Sequence, residues 1–387
     1  MEGVPPLAWG VEEPPSCPRY EEMYRRSISP SESGAFWTEE ANKFIEWIRP
    51  PSKVATGGFG VGDQAWFLGG QLNVSACCLD KHLETIGDKP CIIWEADEPG
   101  QSKTLSYLEV FHGTCRVANA MKVKGVKKGD FVTIYMPMIP ETAMTMLATT
   151  RLGAPHSVVF AGFTAGSLRD RIQDSESKWV CTADVGKRGS KSIKLKEITD
   201  AAVAECPLVQ KVFVFKRTGE AGIPYGPKDV HMDQLVPKMR PYCPYEAMDA
   251  EDTMFTLYTS GSTGKPKGVL LKHESVLASI AGLLDVLGKA ATTGDCYLGY
   301  LPQSHILEFC AELTCLALGM HIGYADPRTL TSTGAVRERP DGSINQKPEW
   351  PCPPGAIQEF RPTFMAGVPK VWDILKKAME DKARRGV

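Results

Sequence analysis

From Cys91 onward, short apolar runs rich in β-branched and aromatic residues alternate with longer runs whose apolar residues recur at helical spacing. The runs predicted to be strands are CIIWE, FVTIYMPM, HSVVF, WVCTA, KVFVF and MFTLYT. Helical patterns such as ETAMTMLATTRLG and SIKLKEITDAAVAE lie between several of them. Apolar strands separated by helices are typical of a largely parallel sheet covered by helices. The predicted fold class is therefore α/β, with sheets flanked by helices in βαβ-type subdomains.

The remainder of the chain extends this organisation in both directions. After Thr259 the alternation resumes with SVLASIAGLLDVLG, CYLGYLP, ILEFCAELTCLALG and HIGYA, whereas residues 331–360 are expected to be loop-like. TFMAGV and a helix over PKVWDILKKAMEDKARR follow. Residues 1–35 are predicted to form a flexible leader, and Phe36–Ile48 has helical spacing before the glycine-rich stretch TGGFGVGDQ. Because 387 residues exceed one simple core, about two or three subdomains are expected.

Charge and composition narrow the classes of function. The net charge of −2 gives no electrostatic case for nucleic acid or an acidic membrane as a partner. No apolar run is long enough to span a bilayer. The 12 cysteines are scattered without a CxxC array, so a zinc site is not expected. Many of them lie in apolar runs, which favours a reducing compartment and a cytoplasmic location.

The segment TSGSTGKPKG, residues 259–268, follows an apolar strand and carries the clearest chemistry. Its three glycines, four hydroxyl residues and two lysines supply many N–H and O–H donors together with positive charge. Such a loop can wrap phosphate oxygens. It lacks the G-x-x-x-x-G-K-[ST] order of a Walker A loop, which disfavours a kinase or GTPase. A simple surface linker is the alternative, but linkers rarely follow a buried strand in this order.

This loop resembles the signature loop of the adenylate-forming superfamily, which includes acyl-CoA synthetases, luciferases and peptide-synthetase adenylation domains. The stretches FLGGQLNVSACCLDKHL, GVKKGDFVTIYMPMIPE and RLGAPHSVVFAGFTAGSLRDRI are similar to acetyl-CoA synthetases, and the likeness covers nearly all of residues 36–269. One departure is Thr256, where the family usually has an aliphatic residue. The residues that the resemblance implies for the ATP β- and γ-phosphates are Thr259, Ser260, Gly261, Ser262, Thr263, Gly264 and Lys267.

The resemblance also implies the reaction. A carboxylate and ATP, with Mg²⁺ spreading the phosphate charge, give an acyl-adenylate and pyrophosphate, and the coenzyme A thiol then attacks the activated carbonyl. No acid–base residue is assigned, because adenylation works mainly by positioning and charge stabilisation. The implied fold is the large N-terminal domain of an adenylate-forming enzyme, incomplete here.

A coenzyme A site is implied near DVGKRGSKSIKLKE. Their spacing alone favours Arg188 and Lys191 as solvated charges before a helix rather than as a binding site. Acetyl-CoA synthetases, however, carry a basic pair here for the nucleotide phosphates, and the FAGF stretch, with Phe160, Ala161 and Gly162, lines the same groove. Lys191 stands where arginine is usual and lacks its bidentate geometry, and Ala161 replaces a glycine.

His305, in YLPQSHILEF, resembles the family residue at the mouth of the acyl pocket. A histidine beside an apolar helix is equally well read as structural. The later segments, from LLKHESVLASIAGLLDVLG to FRPTFMAGVPKVWD, resemble long-chain acyl-CoA synthetases, so residues 270–387 differ in type from residues 36–269. Short-chain enzymes typically read GWVTGHSY where this chain has GYLPQSHI, at Gly299–Ile306. The hypothesis is a hybrid whose switch falls within Thr253–Leu271, with acyl preference following the long-chain-like half.

Further motifs that the family carries are not found in this sequence. They are a YGxTE-type adenine and magnesium motif, a TGD-type aspartate for the ribose, and the lysine of a small C-terminal domain; the TADVG at residues 182–186 lies upstream of the phosphate loop. The expected division is a leader over 1–35, an acetyl-CoA-synthetase-type segment over 36–90 and an incomplete AMP-binding domain over 91–387. The expected function is an AMP-forming acid–CoA ligase, truncated and, taken alone, inactive in acyl-CoA formation. A non-catalytic ATP- or coenzyme-A-binding fragment, or a hybrid gene product, is the alternative.

Overall fold

A computed structural model describes most of the chain. The described residues are 18–58, 60, 62–96, 102–188, 191–218, 223–259, 266–287, 291–327, 329–331, 354–369, 371–373, 376 and 380. For residues 18–20, 44, 188, 191, 285 and 286 the description is limited to the backbone.

The first described residues form two helices, α1 (Pro18–Ile28) and α2 (Ser33–Phe44). In α1, an acidic residue in the first turn and two arginines in the last turn match the helix dipole. Arg25 pairs with Glu32 and Arg26 with Glu39, both at 2.7 Å, which joins the helices. Within the flexible leader expected at 1–35, Pro18–Ile28 is therefore helical, and α2 begins at residue 33. The helix expected at 36–48 instead begins at residue 33 and ends at Phe44, because Ile45 is extended.

The glycine-rich stretch forms part of a hairpin of β1 (Lys53–Gly58) and β2 (Asp63–Leu68). Gly57 has a φ of 84°, and a Cβ there would lie 2.1 Å from the carbonyl oxygen of Asp63. Only glycine fits this close approach. Next come β3 (Gln71–Leu72), α3 (Val74–Cys78) and α4 (Leu83–Ile86), with a 3₁₀ turn at Asp80–His82.

The later elements follow the predicted alternation. In chain order they are β4 (Pro90–Glu95), β5 (Ser102–Ser106), α5 (Tyr107–Val123), β6 (Val132–Tyr135), α6 (Pro140–Arg151), β7 (His156–Val158), α7 (Ala165–Asp174), β8 (Trp179–Ala183), β9 (Gly186–Arg188), β10 (Lys191–Ile193), α8 (Leu195–Ala204), β11 (Lys211–Phe215), β12 (Asp229–His231), α9 (Met232–Leu235), β13 (Met248–Asp249), β14 (Thr253–Thr259), β15 (Lys267–Lys272), α10 (His273–Leu287), β16 (Cys296–Gly299), α11 (Ile306–Leu318), β17 (His321–Tyr324) and α12 (Ala356–Phe360).

Local signals in the sequence explain several of these boundaries. Ser106 and Glu109 form a reciprocal capping box at the start of α5. Thr164 caps α7 through its hydroxyl, and Pro140 occupies the first turn of α6. At the end of α11, Gly319 takes the left-handed conformation with a φ of 79°.

The largest sheet has seven strands in the order β12-β11-β8-β6-β7-β14-β15. The strand pairs are parallel except for β14 with β15, which is antiparallel. A second sheet has four strands in the order β16-β17-β4-β5, with β16, β17 and β4 parallel and β5 antiparallel. The predicted α/β class, with largely parallel sheets between helices, is confirmed.

The helices α5, α6, α10 and α11 lie between the two sheets. One apolar core contains Val132 and Phe255 of the larger sheet together with Ile92 and Ile322 of the smaller one. The opposite face of the larger sheet packs against α7 and α8 through a second core. Burial on both faces explains why its strands read as continuous apolar runs.

Candidate functional site

The phosphate loop leaves the larger sheet at the carboxyl end of β14. The Cα atoms of Thr259 and Lys267 are partners in the antiparallel ladder, so the loop connects a strand to the next strand, which is the edge strand of the sheet. This is the connection that the sequence predicts. Thr259 and Lys267 are both exposed. Ser260, Gly261, Ser262, Thr263 and Gly264 lie outside the described residues.

The segment Phe160–Gly162 follows β7, which is parallel to β14 and adjacent to it. Because the carboxyl ends of parallel strands meet at one edge, this segment and Thr259 lie at the same edge of the sheet. The hydroxyl of Tyr135 donates to the carbonyl oxygen of Phe163 at 2.8 Å and fixes the turn after Phe160.

A cavity of about 460 Å³ opens between the carboxyl ends of the two sheets. Segments that follow strands of the larger sheet contribute Phe160, Ala161 and Arg217 to its lining, and the hairpin of β9 and β10 contributes Gly186, Lys187 and Ile193. The smaller sheet contributes Trp94, Glu95, Tyr300, Gln303, Ser304 and Asp326. Clefts at the carboxyl ends of parallel strands are the usual place for ligands in open α/β sheets.

Two of the residues predicted for coenzyme A, Phe160 and Ala161, line this cavity, whereas Gly162 follows them in an exposed position. Arg188 and Lys191 face each other as Cα partners in the hairpin of β9 and β10. The hairpin reaches the cavity through neighbouring residues, Gly186, Lys187 and Ile193. The structure therefore brings both halves of the predicted site to one cavity at the level of the backbone.

Asp184, just after β8, organises the rim of this cavity. It is 2 % exposed and accepts hydrogen bonds from the backbone N–H groups of Val185 at 2.7 Å and Arg217 at 2.8 Å. These bonds hold the residues after β8 and β11 together, which places Arg217 in the lining. Sequence reasoning set the TADVG segment aside and did not select Lys187 or Arg217, since neither stands in a recognisable motif.

His305 is the N-cap of α11, and its Nδ1 atom accepts from the backbone N–H of Leu307 at 3.3 Å. The side chain is exposed and follows Ser304, a residue of the cavity lining. Its position is thus next to the cavity, and its observed contact is a helix cap.

Behind the cavity wall, α11 buries two carboxyl groups one turn apart. Tyr297 donates to Glu308 at 2.8 Å, and Tyr324 donates to Glu312 at 2.7 Å. Burial raises the pKa of Glu312 to about 7. Burial, followed by the charge of Glu312, raises the pKa of Glu308 well above its ordinary value. The spacing of four residues within an apolar helix was the signal that could have revealed this pair.

The described residues lack two kinds of feature. They contain no group of three or more His, Cys, Asp or Glu side chains arranged to hold a metal ion. They also contain no helix that is both long and apolar enough to cross a membrane.

The fold defines an α/β protein with a cavity at the carboxyl ends of its strands. Residues 79–386 match the AMP-binding enzyme family, and residues 20–78 match the acetyl-coenzyme A synthetase N-terminus. The chain belongs to the AMP-binding enzyme family, which confirms the resemblance seen in the sequence.

Individual relatives agree with this assignment. The acetyl-coenzyme A synthetase of Halorhodospira halophila is 50 % identical over 274 residues, which are 71 % of this chain and 41 % of that protein. Acetyl-coenzyme A synthetase 2 of Saccharomyces cerevisiae is 47 % identical over 252 residues, 65 % of this chain and 37 % of that one. The chain thus spans about two-fifths of the curated relatives that it matches.

A solved structure supports the fold. The acetoacetyl-CoA synthetase from Streptomyces lividans matches with a TM-score of 0.72 and 22 % identity, over 82 % of this chain and 48 % of that one. At this identity the likeness shows the fold alone.

Proposed function

We propose that this chain is the ATP- and carboxylate-binding part of an AMP-forming acid–CoA ligase. The observation that carries the proposal is the single cavity to which Phe160, Ala161, the hairpin of β9 and β10, and the segment after β16 all contribute. The phosphate loop leaves the same sheet edge at Thr259. The relatives named as acetyl-coenzyme A synthetases support the same chemistry.

In the proposed reaction the substrate carboxylate attacks the α-phosphorus of ATP, and pyrophosphate leaves. The thiol of coenzyme A then attacks the acyl carbon, and AMP leaves. The chain's own contribution is positioning: backbone and hydroxyl donors of residues 259–264 and Lys267 hold the β- and γ-phosphates. Mg²⁺, which prefers oxygen ligands, would supply positive charge to the phosphate groups of ATP.

The hairpin of β9 and β10 is proposed to hold the nucleotide phosphates of coenzyme A. Arg188 and Lys191 are its paired tip positions, and Phe160, Ala161 and Gly162 form the adjoining wall. Lys187 and Arg217 add positive charge to the cavity lining, although each already has a partner. His305 is proposed to stand at the mouth of the acyl pocket as a positioning residue.

The proposed division of the chain is a leader over 1–35, an acetyl-CoA-synthetase-type segment over 36–90 and an AMP-binding domain over 91–387. The helices α1 and α2 place structure inside the first of these ranges from Pro18 on. The two family matches meet between residues 78 and 79, whereas the second proposed range ends at residue 90. Limited proteolysis tests this boundary.

Calorimetry with MgATP tests the phosphate site. We expect binding to the unsubstituted chain, and binding about tenfold weaker to Lys267→Ala, because a charged phosphate contact is lost. Lys238→Ala is the matched control, since Lys238 is exposed on the 3₁₀ turn after α9 and far along the sheet from β14. If the unsubstituted chain does not bind MgATP, the proposal is wrong.

Exchange of labelled pyrophosphate into ATP tests the chemistry itself. A ligase shows exchange that depends on an added carboxylic acid, whereas the alternative, a module that only binds ATP or coenzyme A, binds MgATP without any exchange. The favoured outcome is exchange that Lys267→Ala reduces and Lys238→Ala leaves unchanged. Exchange that is equal with and without acid would contradict carboxylate activation.

A further inference from the structure

Gln303 is a buried polar side chain in the lining of the cavity. It follows β16, is 4 % exposed and belongs to the cavity lining. Its side-chain nitrogen Nε2 donates to Glu312 Oε2 at 2.8 Å and to the hydroxyl oxygen of Tyr324 at 3.2 Å. Both N–H groups of the amide are therefore used on the side of the wall that faces α11 and β17.

The chemistry of the partners fixes the orientation of this amide. The Oε2 atom of Glu312 accepts from both Gln303 and Tyr324, so the NH₂ end of Gln303 points to Glu312 and the carbonyl oxygen points away. Tyr324 donates its own hydrogen to the same Glu312 oxygen at 2.7 Å, so it accepts from Gln303. The arrangement is closed and rigid, because Tyr324 is 1 % exposed and Glu312 is 3 % exposed.

The carbonyl oxygen of Gln303 takes part in neither of these hydrogen bonds. Among the described residues, the two hydrogen bonds of this side chain are both made by its Nε2 atom. Gln303 lines the cavity and is 4 % exposed, and its carbonyl oxygen is the acceptor that it offers to a bound ligand. Water can satisfy this acceptor in an empty cavity, but a hydrocarbon chain that displaces the water cannot.

We propose that Gln303 determines substrate specificity, an inference that rests on the proposed function. Its carbonyl oxygen accepts a hydrogen bond from a hydroxyl group on the chain of the substrate acid. The favoured substrate class is therefore hydroxy acids rather than unsubstituted acids of the same length. A site built to bond a substrate hydroxyl disfavours the analogue that lacks it, because the acceptor then stays unpaired.

The wall behind Gln303 supports this assignment independently. Glu308 is fully buried one turn before Glu312, and one oxygen of each carboxyl has no hydrogen-bond partner among the described residues. Among the described residues, no bond from either carboxyl reaches the Gln303 carbonyl oxygen, so the wall leaves this acceptor to a ligand in the cavity. An apolar tail gains nothing from such a wall.

The test compares hexanoate with its hydroxy isomers in acid-dependent pyrophosphate exchange. We expect the best hydroxyhexanoate to have a kcat/KM about tenfold above that of hexanoate, the worth of one hydrogen bond. Gln303→Leu should remove this preference or reverse it. Gln234→Leu is the matched control, because Gln234 is exposed on α9 outside the cavity lining, and it should keep the preference.

Each result has a definite reading. Exchange with hexanoate that no hydroxy isomer exceeds overturns the role of Gln303 and leaves the proposed function standing. If no acid supports exchange, the proposed function fails, and equilibrium binding of the same acids is measured by saturation-transfer NMR. A hydroxy-acid preference lost in Gln303→Leu then still supports the inference, whereas equal binding or no binding overturns it.

Folding of the variants is checked in the same series. Gln303→Met keeps the length of the side chain without its amide, and its thermal unfolding and circular dichroism are compared with those of the unsubstituted chain. A folded Gln303→Met that retains the full hydroxy-acid preference overturns the inference.

Discussion

Arg151 is a fully buried guanidinium that joins three distant segments. It makes a bidentate ion pair with Asp80, with N–O distances of 2.7 and 2.9 Å. Its Nε atom donates to the carbonyl oxygen of Cys243. The guanidinium also lies 5.1 Å from the ring of Phe111 and 5.4 Å from that of Tyr245. A planar, always-charged fork fits these partners, and lysine would not.

We expect Arg151→Met to lower the free energy of unfolding by about 3–5 kcal/mol, because it breaks a buried ion pair and leaves Asp80 without its partner. The double variant Asp80→Ala, Arg151→Met should lose less than the sum of the two single variants. Urea unfolding measures all three, with Arg240→Met, an exposed arginine, as the control. Additive losses would contradict a direct coupling.

The buried pair on α11 predicts a pH dependence of stability. The pKa of Glu312 is raised to about 7 and that of Glu308 is raised well above its ordinary value, so the folded state holds protons that the unfolded state releases. Stability is therefore full below the ordinary carboxyl pKa and falls as the pH rises through about 7. We expect the free energy of unfolding to decrease between about pH 5 and pH 8.

Glu308→Gln tests the source of this decrease. The amide can still accept from Tyr297 but cannot ionise, so the decrease should become smaller and the chain more stable at the alkaline end. Glu84→Gln, at an exposed position on α4, should leave the pH slope unchanged. A slope that is flat in the unsubstituted chain would show that the pair does not control stability in this range.

Single residues differ in how far the sequence predicts them. Thr259 and Lys267 stand in a contiguous motif whose chemistry is visible in its order, and the structure places both at the expected sheet edge. Asp184, Gln303 and Glu312 act through partners that are distant in sequence. The roles of Gln303 and Glu312 depend on the packing of α11 against β16 and β17, and that of Asp184 depends on the pairing of β8 with β11. No local pattern specifies either arrangement.

At the scale of elements, the return from β14 to β15 positions the phosphate loop. Gly268 lies opposite Tyr258, and a Cβ there would come within 3.1 Å of Thr256 Cγ2 and 3.3 Å of the Tyr258 ring. Tyr258 itself is held by a 2.7 Å hydrogen bond to Asp174. Small size at residue 268 therefore lets β15 begin close against β14, which sets the position of Lys267.

We expect Gly268→Val to displace the start of β15, costing about 1–3 kcal/mol of stability through overpacking. Because Lys267 moves with it, the affinity for MgATP should fall as well. Gly282→Ala, on α10 where a Cβ meets nothing within 4 Å, should instead gain up to about 1 kcal/mol through helix propensity. Urea unfolding and calorimetry report the two effects, and unchanged MgATP affinity in Gly268→Val would refute the link.

The strands were the easiest elements to predict, since strands buried on both faces leave uninterrupted apolar runs such as KVFVF, observed at Lys211–Phe215. The helix α2 was predicted at 36–48 and is observed at Ser33–Phe44, whereas α1 was not predicted, because its pattern is short and five of its 11 residues are charged. The partner of each strand was also beyond the sequence. The order β6-β7-β14 places strands that are about a hundred residues apart side by side.

At the scale of the whole molecule, the two sheets differ in the part of the sequence that builds them. The lining from the larger sheet comes from residues 136–217, within the acetyl-CoA-synthetase-like part. Most of the lining from the smaller sheet comes from residues 300–360, within the part that resembles long-chain enzymes. Phe255 and Phe309 stack across this division with ring centroids 4.2 Å apart. The hybrid hypothesis can therefore be tested by asking which of the two cavity walls, residues 136–217 or residues 300–360, selects the acyl group.

We expect the wall formed after β16 to determine which acyl group is selected. Gly299–Ile306 carries Tyr300, Gln303 and Ser304 into the cavity, where short-chain enzymes typically read GWVTGHSY. We expect the unsubstituted chain to favour six-carbon and longer acids over acetate in pyrophosphate exchange. Replacing this segment by GWVTGHSY should shift the ratio toward acetate by about tenfold or more, since a pocket contact of one or two methylenes is worth about that much.

Replacement of the same segment by its own residues in scrambled order is the control, and thermal unfolding confirms that each variant is folded. Because the larger sheet is untouched in every variant, a changed ratio can come only from the wall after β16. Preference for acetate in the unsubstituted chain would instead assign selection to the wall built by residues 136–217, and acyl specificity would then follow the half of the sequence that resembles acetyl-CoA synthetases.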